Sequence, residues 1–313
     1  MAMTTMLPQA QGPETVGPAR AGRRRGGTWG VIARSLLSNR KATAGLVILL
    51  GFCFLAAFPG LVAHDNPQAE VYLPGQGPSG AHLLGTTAYG QDLFAQVVYF
   101  TRESLLIAVS AGPLATVLSV VVGVTAAYVG GLVDDVLSLV TDIFLVIPAF
   151  PLIVVIAAYS KNAGDPVLIA VLVVVGWSYG ARQLRVQALS LRNRDFLVAA
   201  RLRGERTWRI IFSEILPTMT SLIVAIFLGA TLYAIVTAAG LQFVGLGNPE
   251  TLSWGTMLYW AQNNEALQAG SPLWAIMPGL CIAALGAGFA LLNYAFDEIS
   301  NPALRPVRRR RKP

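Results

Sequence analysis

From Ala42 onward the 313-residue chain is a succession of apolar runs. Each exceeds the roughly 18 residues that distinguish a membrane-crossing helix from a core helix. Six spans are predicted: Ala42 to Ala63, Ser104 to Tyr128, Val136 to Tyr159, Pro166 to Ala188, Thr218 to Gly240 and Leu273 to Tyr294. Only 12% of the residues are charged, about half the share usual in soluble domains. An all-α membrane protein follows, with most of its mass in lipid.

The formal net charge of +7 does not indicate nucleic acid, because the basic residues lie between or beyond the spans and not on a polar domain. Their distribution orients the chain. Seven Lys/Arg precede the first span, eight lie from Arg182 to Arg209 and six from Arg305 to Lys312, leaving only Arg102 and Lys161 for the other side. By the positive-inside rule both termini are expected in the cytosol. Residues 1–41 combine prolines, glycines and the run Arg23 to Arg25, and read as a disordered basic tail. A second basic tail is expected at 301–313, and an external loop at 64–103. The first span is too long, and lacks the small-residue cleavage site, to be a cleaved signal.

Cys53 and Cys281 both fall within apolar spans and read as small hydrophobes. Trp254, Trp260 and Trp274 flank the outer end of the last span, where indoles commonly anchor in the headgroup zone. Pro113, Pro148 and Pro151, with Gly123, Gly176, Gly229, Gly286 and Gly288, allow kinks and close helix approach. Asp142, near the cytosolic end of the third span, is expected to pair with a nearby arginine, since an isolated charge there is costly.

Between the fourth and fifth spans lies the most polar internal stretch, Arg182 to Pro217. It reads as two short helices. Asp195 can cap the first, Gly204 suits the left-handed residue that ends it, Thr207 can cap a second helix from Trp208 to about Ile215, and Pro217 opens the fifth span. Ala200 and Gly204 are four apart, so a partner's surface could approach the backbone closely there.

This stretch carries Val198-Ala199-Ala200, then Gly204 after three intervening residues, then Glu214-Ile215-Leu216-Pro217 after nine more. It resembles the E-A-A, three residues, Gly, nine residues, I-x-L-P pattern of the permeases of binding-protein-dependent ABC importers. Val198 stands in place of that pattern's Glu, and Glu214 in place of its Ile. Other stretches resemble the dipeptide/oligopeptide branch, C-type: Leu84-Gly85-Thr86-Thr87 with Gly90-Gln91-Asp92, Tyr128-Val129-Gly130-Gly131 with Asp134, Gly245-Leu246-Gly247, Ser253 to Leu258, Pro278-Gly279, and Asn301 to Arg305. Gln91 and Ala238 replace residues that are commonly Arg and acidic in the branch.

The resemblance implies the type I ABC importer permease fold, in a bacterial cytoplasmic membrane, with five spans over 104–300 as its core. It implies that Ala199, Ala200, Arg203, Gly204, Glu205, Thr207, Leu216 and Pro217 form the coupling surface for an ATP-binding subunit. Asp92 and Trp254 are candidate contacts at the external face. The implied partners are a second homologous permease, two ATP-binding subunits or domains, an extracytoplasmic substrate-binding protein and membrane lipid. Di-/oligopeptides are the implied cargo, with oligosaccharides or a metal chelate as alternatives.

No G-x-x-x-x-G-K-[ST] phosphate loop occurs in the sequence. His64 and His82 are the only histidines, and no Ser/His/Asp or Cys/His arrangement forms. The chain is therefore not expected to be an enzyme or to carry a cofactor, and ATP hydrolysis would fall to its partners. Alternating access would then rest on contacts from Ala199 to Thr207 that differ between two states. A secondary transporter is the rival, but the sequence shows neither a clear inverted repeat nor a midplane carboxylate.

Overall fold

A computed structural model describes residues 39–159 and 164–300, the side chains of 157 and 297–300 excepted. The tails, Lys161 and the element from Asn301 to Arg305 lie outside the described residues. So do the side chains of Asp297 and Glu298.

The described residues form helices α1 (Arg40–Ala57), α2 (Pro59–Val62), α3 (Leu93–Val129), α4 (Gly131–Val146), α5 (Ala149–Tyr159) and α6 (Asp165–Leu191). The short α7 (Asp195–Leu202), α8 (Thr207–Ile210), a π-turn (Ile211–Ile215) and α9 (Leu216–Thr218) follow. The chain continues through α10 (Thr220–Phe243), α11 (Trp254–Asn263) and α12 (Pro272–Ser300). Five of these helices are long and apolar enough to cross a membrane, and a sixth span exists if α4 and α5 count as one.

The predicted third span is not straight: its halves meet at 88°. Pro148 supplies the cause. A residue before proline is driven out of helical geometry, and Ile147 is extended at ψ 127. Pro113 and Pro278, by contrast, lie inside continuous helices.

The second span starts earlier than predicted. α3 runs for 37 residues from Leu93, because the Asp92 side chain accepts the Ala95 N–H at 2.8 Å and nucleates a helix well before Ser104. Arg102 and Glu103 therefore lie on a helix, and the connecting segment shortens to 63–92.

At the centre of the bundle α3 runs alongside α6 and α10, while α1 lies against α12. The α3–α6 contact is close because Gly123 faces the backbone of Ala181, where any side chain would collide. Ser119 Oγ donates across the same seam to the Trp177 carbonyl at 2.6 Å.

Trp254 and Trp274 are buried, at 0% and 2% exposure, so neither is the headgroup anchor expected from the sequence. Tertiary packing outweighed the interfacial preference. Trp254 Nε1 donates to the Val97 carbonyl at 3.1 Å, its backbone N–H donates to Ser104 Oγ at 3.0 Å, and Phe52 meets its ring edge-on.

Candidate functional site

α6 and α10 are joined at one end of the bundle by the basic stretch from Arg192 to Met219, and its local chemistry shapes a surface. α7 begins at Asp195 with Arg194 in the cap position and no side-chain cap bond, so the cap expected from Asp195 is not made. At its other end the Gly204 N–H donates to Arg201 O and the Glu205 N–H to Ala200 O. That pair of bonds, with Gly204 at φ +72, is a Schellman ending. The expectation for Gly204 is met.

Thr207 lies inside α8, with Arg206 in the cap position, so its predicted capping role is likewise not observed. The predicted helix from Trp208 to Ile215 widens into the π-turn, where the Leu216 N–H reaches Ile211 O, five residues back. Pro217 explains the widening, since it lacks an N–H and its ring crowds the carbonyl four residues earlier.

Leu197, Ala200, Ile210, Ile215 and Met219 pack inward against Val124, Leu184 and Ala188. Ala200 is fully buried, which corrects the expectation that it meets a partner alongside Gly204. The residues that face outward are different. Leu202, Trp208 and Phe212 are 84%, 59% and 65% exposed, with Phe196 and Val198 beside them at 40% each. Ala199, Arg203, Gly204, Thr207 and Pro217 are also exposed, whereas Glu205 and Leu216 are half-buried. Arg203 donates to Glu205 through Nε at 3.0 Å and Nη2 at 2.8 Å, stiffening the turn at Gly204.

Sequence reasoning missed this apolar patch, because single hydrophobic residues in a basic stretch read as the buried faces of short helices. It also missed the strongest ion pair nearby. Arg185 of α6 donates to both oxygens of Asp134 in α4, at 2.6 and 2.8 Å, tying the start of the bent segment to the helix that leads into the loop. Asp142 does pair with Arg182, at 3.6 Å with both side chains exposed.

Toward this same end, the bend at Pro148 leaves a cavity of about 750 Å³ walled by α4, α6, α10 and α12. Its polar groups are Ser178, Tyr179, Gln183, Tyr233 and Asn293.

At the opposite end, the segment 63–92 folds back over the bundle. Asp92 Oδ2 lies 2.8 Å from His82 Nδ1, the His82 ring meets Tyr72 edge-on, and the Tyr72 hydroxyl donates to Asp65 at 3.0 Å. Asp92 is buried at 3% and Trp254 completely, so both candidate external contacts are interior framework. No cluster of three or more His, Cys, Asp or Glu side chains able to hold a metal occurs among the described residues.

Residues 119–305, which include the helix bend, the basic loop and the cavity, match the family model for the binding-protein-dependent transport system inner membrane component. The chain belongs to this family. It is a multi-pass permease component of the ABC importer class and not itself a catalytic enzyme, and the secondary-transporter reading is set aside.

Among relatives of this permease, the oligopeptide transport system permease protein OppC of Mycobacterium tuberculosis is 31% identical over 282 residues, covering 89% of this chain and 96% of the relative. The dipeptide transport system permease protein DppC of Alkalihalophilus pseudofirmus is 32% identical over 284 residues, with 88% and 90% covered. OppC of Bacillus subtilis is 31% identical over 271 residues, with 86% and 87% covered. The similarity thus extends beyond the family model to α1 and the folded segment before α3.

Proposed function

We propose that this permease forms half of the translocation pathway of an importer for di-/oligopeptides. A second homologous permease forms the other half, and two ATP-binding subunits or domains bind at the basic loop. The termini and the basic loop lie in the cytosol, and an extracytoplasmic binding protein delivers cargo to the opposite face. The charge distribution supports this orientation, since nearly all Lys/Arg fall on one side of the six predicted spans. The relatives' own cargo supports peptides over oligosaccharides or metal chelates.

One observation carries the mechanism: two of the helices that wall the cavity, α6 and α10, are the ones joined by the basic loop with its exposed apolar residues. Leu202, Trp208 and Phe212, exposed apolar side chains in an arginine-rich stretch, are poorly suited to water, and a groove on an ATP-binding subunit would bury them. Gly204, Arg203, Glu205, Ala199 and Thr207 lie at or beside the turn between Leu202 and Trp208. Pro217 and Leu216 lead from it into α10, with Ala200 holding α7 onto the bundle. Rigid-body movement of the loop, driven by ATP-dependent closure of the partner subunits, would reposition α6 and α10 in the cavity wall.

The test is reconstitution of the complete importer with its neighbouring subunits. Wild type should accumulate peptide only with ATP, and Leu202→Asp with Trp208→Asp should abolish co-purification of the ATP-binding subunits while the permease pair stays intact. Retention of a fully coupled complex by that double variant would overturn the docking assignment.

A further inference from the structure

At the end of the bundle opposite the basic loop, the folded segment 63–92 and the turn before α11 frame a second cavity, of about 590 Å³. Its only charged lining residues are Glu70 and Glu250. Neither forms an ion pair among the described residues. Glu70 is held in place by a chain of amides: Gln91 Nε2 donates to Glu70 Oε1 at 3.3 Å, and Gln91 Oε1 accepts from Gln96 Nε2 at 2.6 Å. Gln96 is buried on α3 and also donates to the Pro67 carbonyl at 3.2 Å.

Aromatic rings supply the second observation. Tyr89 stands edge-on to both Trp260 and Trp274, with ring centroids 6.2 and 6.3 Å apart, and all three line the cavity. Trp260 Nε1 donates to the carbonyl of Pro249, the neighbour of Glu250, at 3.2 Å. Tyr89 and Trp260 are 42% and 38% exposed, so part of each ring is open to a ligand. Carboxylates beside aromatic rings suit an ammonium or guanidinium group, whose charge meets the acids while its aliphatic stem lies along the rings. A third observation concerns the whole end of the molecule. The segments that the proposed orientation puts outside, 63–103, 160–165 and 244–273, carry seven Asp/Glu against only Arg102 and Lys161.

We propose, resting on the importer reading above, that this cavity is a socket for one lysine or arginine side chain of the extracytoplasmic binding protein. Glu70 and Glu250 neutralise its charge, and Tyr89 and Trp260 pack against its stem. The acidic surroundings favour a protein with a basic docking face over a lone small cation, because charge complementarity spread over a face steers a partner and fixes its register. The polarity of docking follows: the permease presents the acids and the binding protein the base. Headgroup anchoring by Trp260 leaves the two unpaired carboxylates without a role, and they would repel an anionic lipid.

Two measurements on the complete importer in lipid nanodiscs, with its neighbouring binding protein, test this. Glu70→Gln with Glu250→Gln keeps the shape of the cavity and should weaken binding-protein affinity about ten-fold at low salt, with a flatter dependence on ionic strength than wild type. Trp260→Leu should weaken it about three-fold. Glu265→Gln, exposed at the same end but outside the cavity, should change it less than about two-fold. Unchanged affinity in the double variant would overturn the socket, and so would an equal loss in Glu265→Gln, which would show that overall charge alone steers the partner. Separately, p-benzoylphenylalanine in place of Gln68, an exposed residue of the cavity wall, should crosslink to the binding protein beside a lysine or arginine. Capture only of lipid or of the second permease would overturn the assignment. If wild type imports peptide while the double variant binds as tightly, the socket fails and the importer reading stands. A wild-type complex that neither binds the protein nor imports sinks both.

Discussion

At Gly204 a single torsion angle sets the shape of the proposed coupling surface. With φ at +72 and open space where a Cβ would stand, a small side chain acts through the backbone and not through a clash within the chain, and only a bulky one would also obstruct a partner. Gly204→Ala should cost about 1–2 kcal/mol at this turn, and Gly204→Asn less, because Asn tolerates the left-handed region better. Co-purification of ATP-binding subunits should fall in the order Gly, Asn, Ala, Trp, while insertion of the permease stays normal. Asp134 acts differently, through its bidentate bond to Arg185. Asp134→Asn leaves a partly buried guanidinium without its anion, and the purified protein should lose about 1–3 kcal/mol of stability, read as a lower melting temperature. At the opposite end, the hydrogen bond to Asp65 and that residue's charge hold the Tyr72 phenol above its ordinary 10.0. A raised pKa means that the contact is intact below pH 10 and is lost as pH rises through the folded value. Protease protection of segment 63–92 should therefore fall only at strongly alkaline pH, and Tyr72→Phe should remove that step.

Among the elements, the bent pair α4 and α5 and the π-turn each follow from one proline acting in a different setting. Pro148 meets its neighbour at a helix junction and turns the chain by 88°, whereas Pro217 is absorbed by a widened turn that keeps α8 to α10 nearly continuous. Pro148→Ala should favour a straighter segment and shrink the cavity at the bend. Transport should fall more than thermal stability, which uptake and melting measurements on the same preparation would separate. The segment before α3 is an element in its own right, pinned by the bonds among Asp65, Tyr72, His82 and Asp92. Its role is tested by replacing residues 66–84 with a Gly/Ser linker, sparing the Asp92 cap. Crosslinking to the binding protein should be lost, and unchanged crosslinking would exclude it as the docking face.

For the whole molecule, the loop joins two of the helices that wall the cavity, so the proposed docking at one would be mechanically linked to opening at the other. Trp254 lies at the opposite end of the bundle. As the first residue of α11, it is buried against α1 and α3 and ties α11 to α3 through two hydrogen bonds. Trp254→Ala should cost about 3–5 kcal/mol, as for other buried aromatics. The loss should appear as a lower melting temperature and reduced expression, with no change in binding-protein affinity for the protein that does fold, because the side chain presents no surface to a partner.

Hydrophobic run length determined the helical membrane class from sequence alone, because lipid leaves the backbone no other way to satisfy its hydrogen bonds. The left-handed turn at Gly204 and the Asp142 ion pair were legible too, since each follows from local chemistry. The inward rotation of Ala200, the exposed patch of Leu202, Trp208 and Phe212, and the burial of Trp254 and Asp92 were not. A short helix has no sequence mark for which face its bundle will cover, and an indole at a span's end suits either lipid headgroups or a protein interior. Only the packing of α7, α11 and segment 63–92 against the long helices settled those choices, and only the packing of α6, α10 and α12 brought Gln183, Gly229 and Asn293 to one cavity.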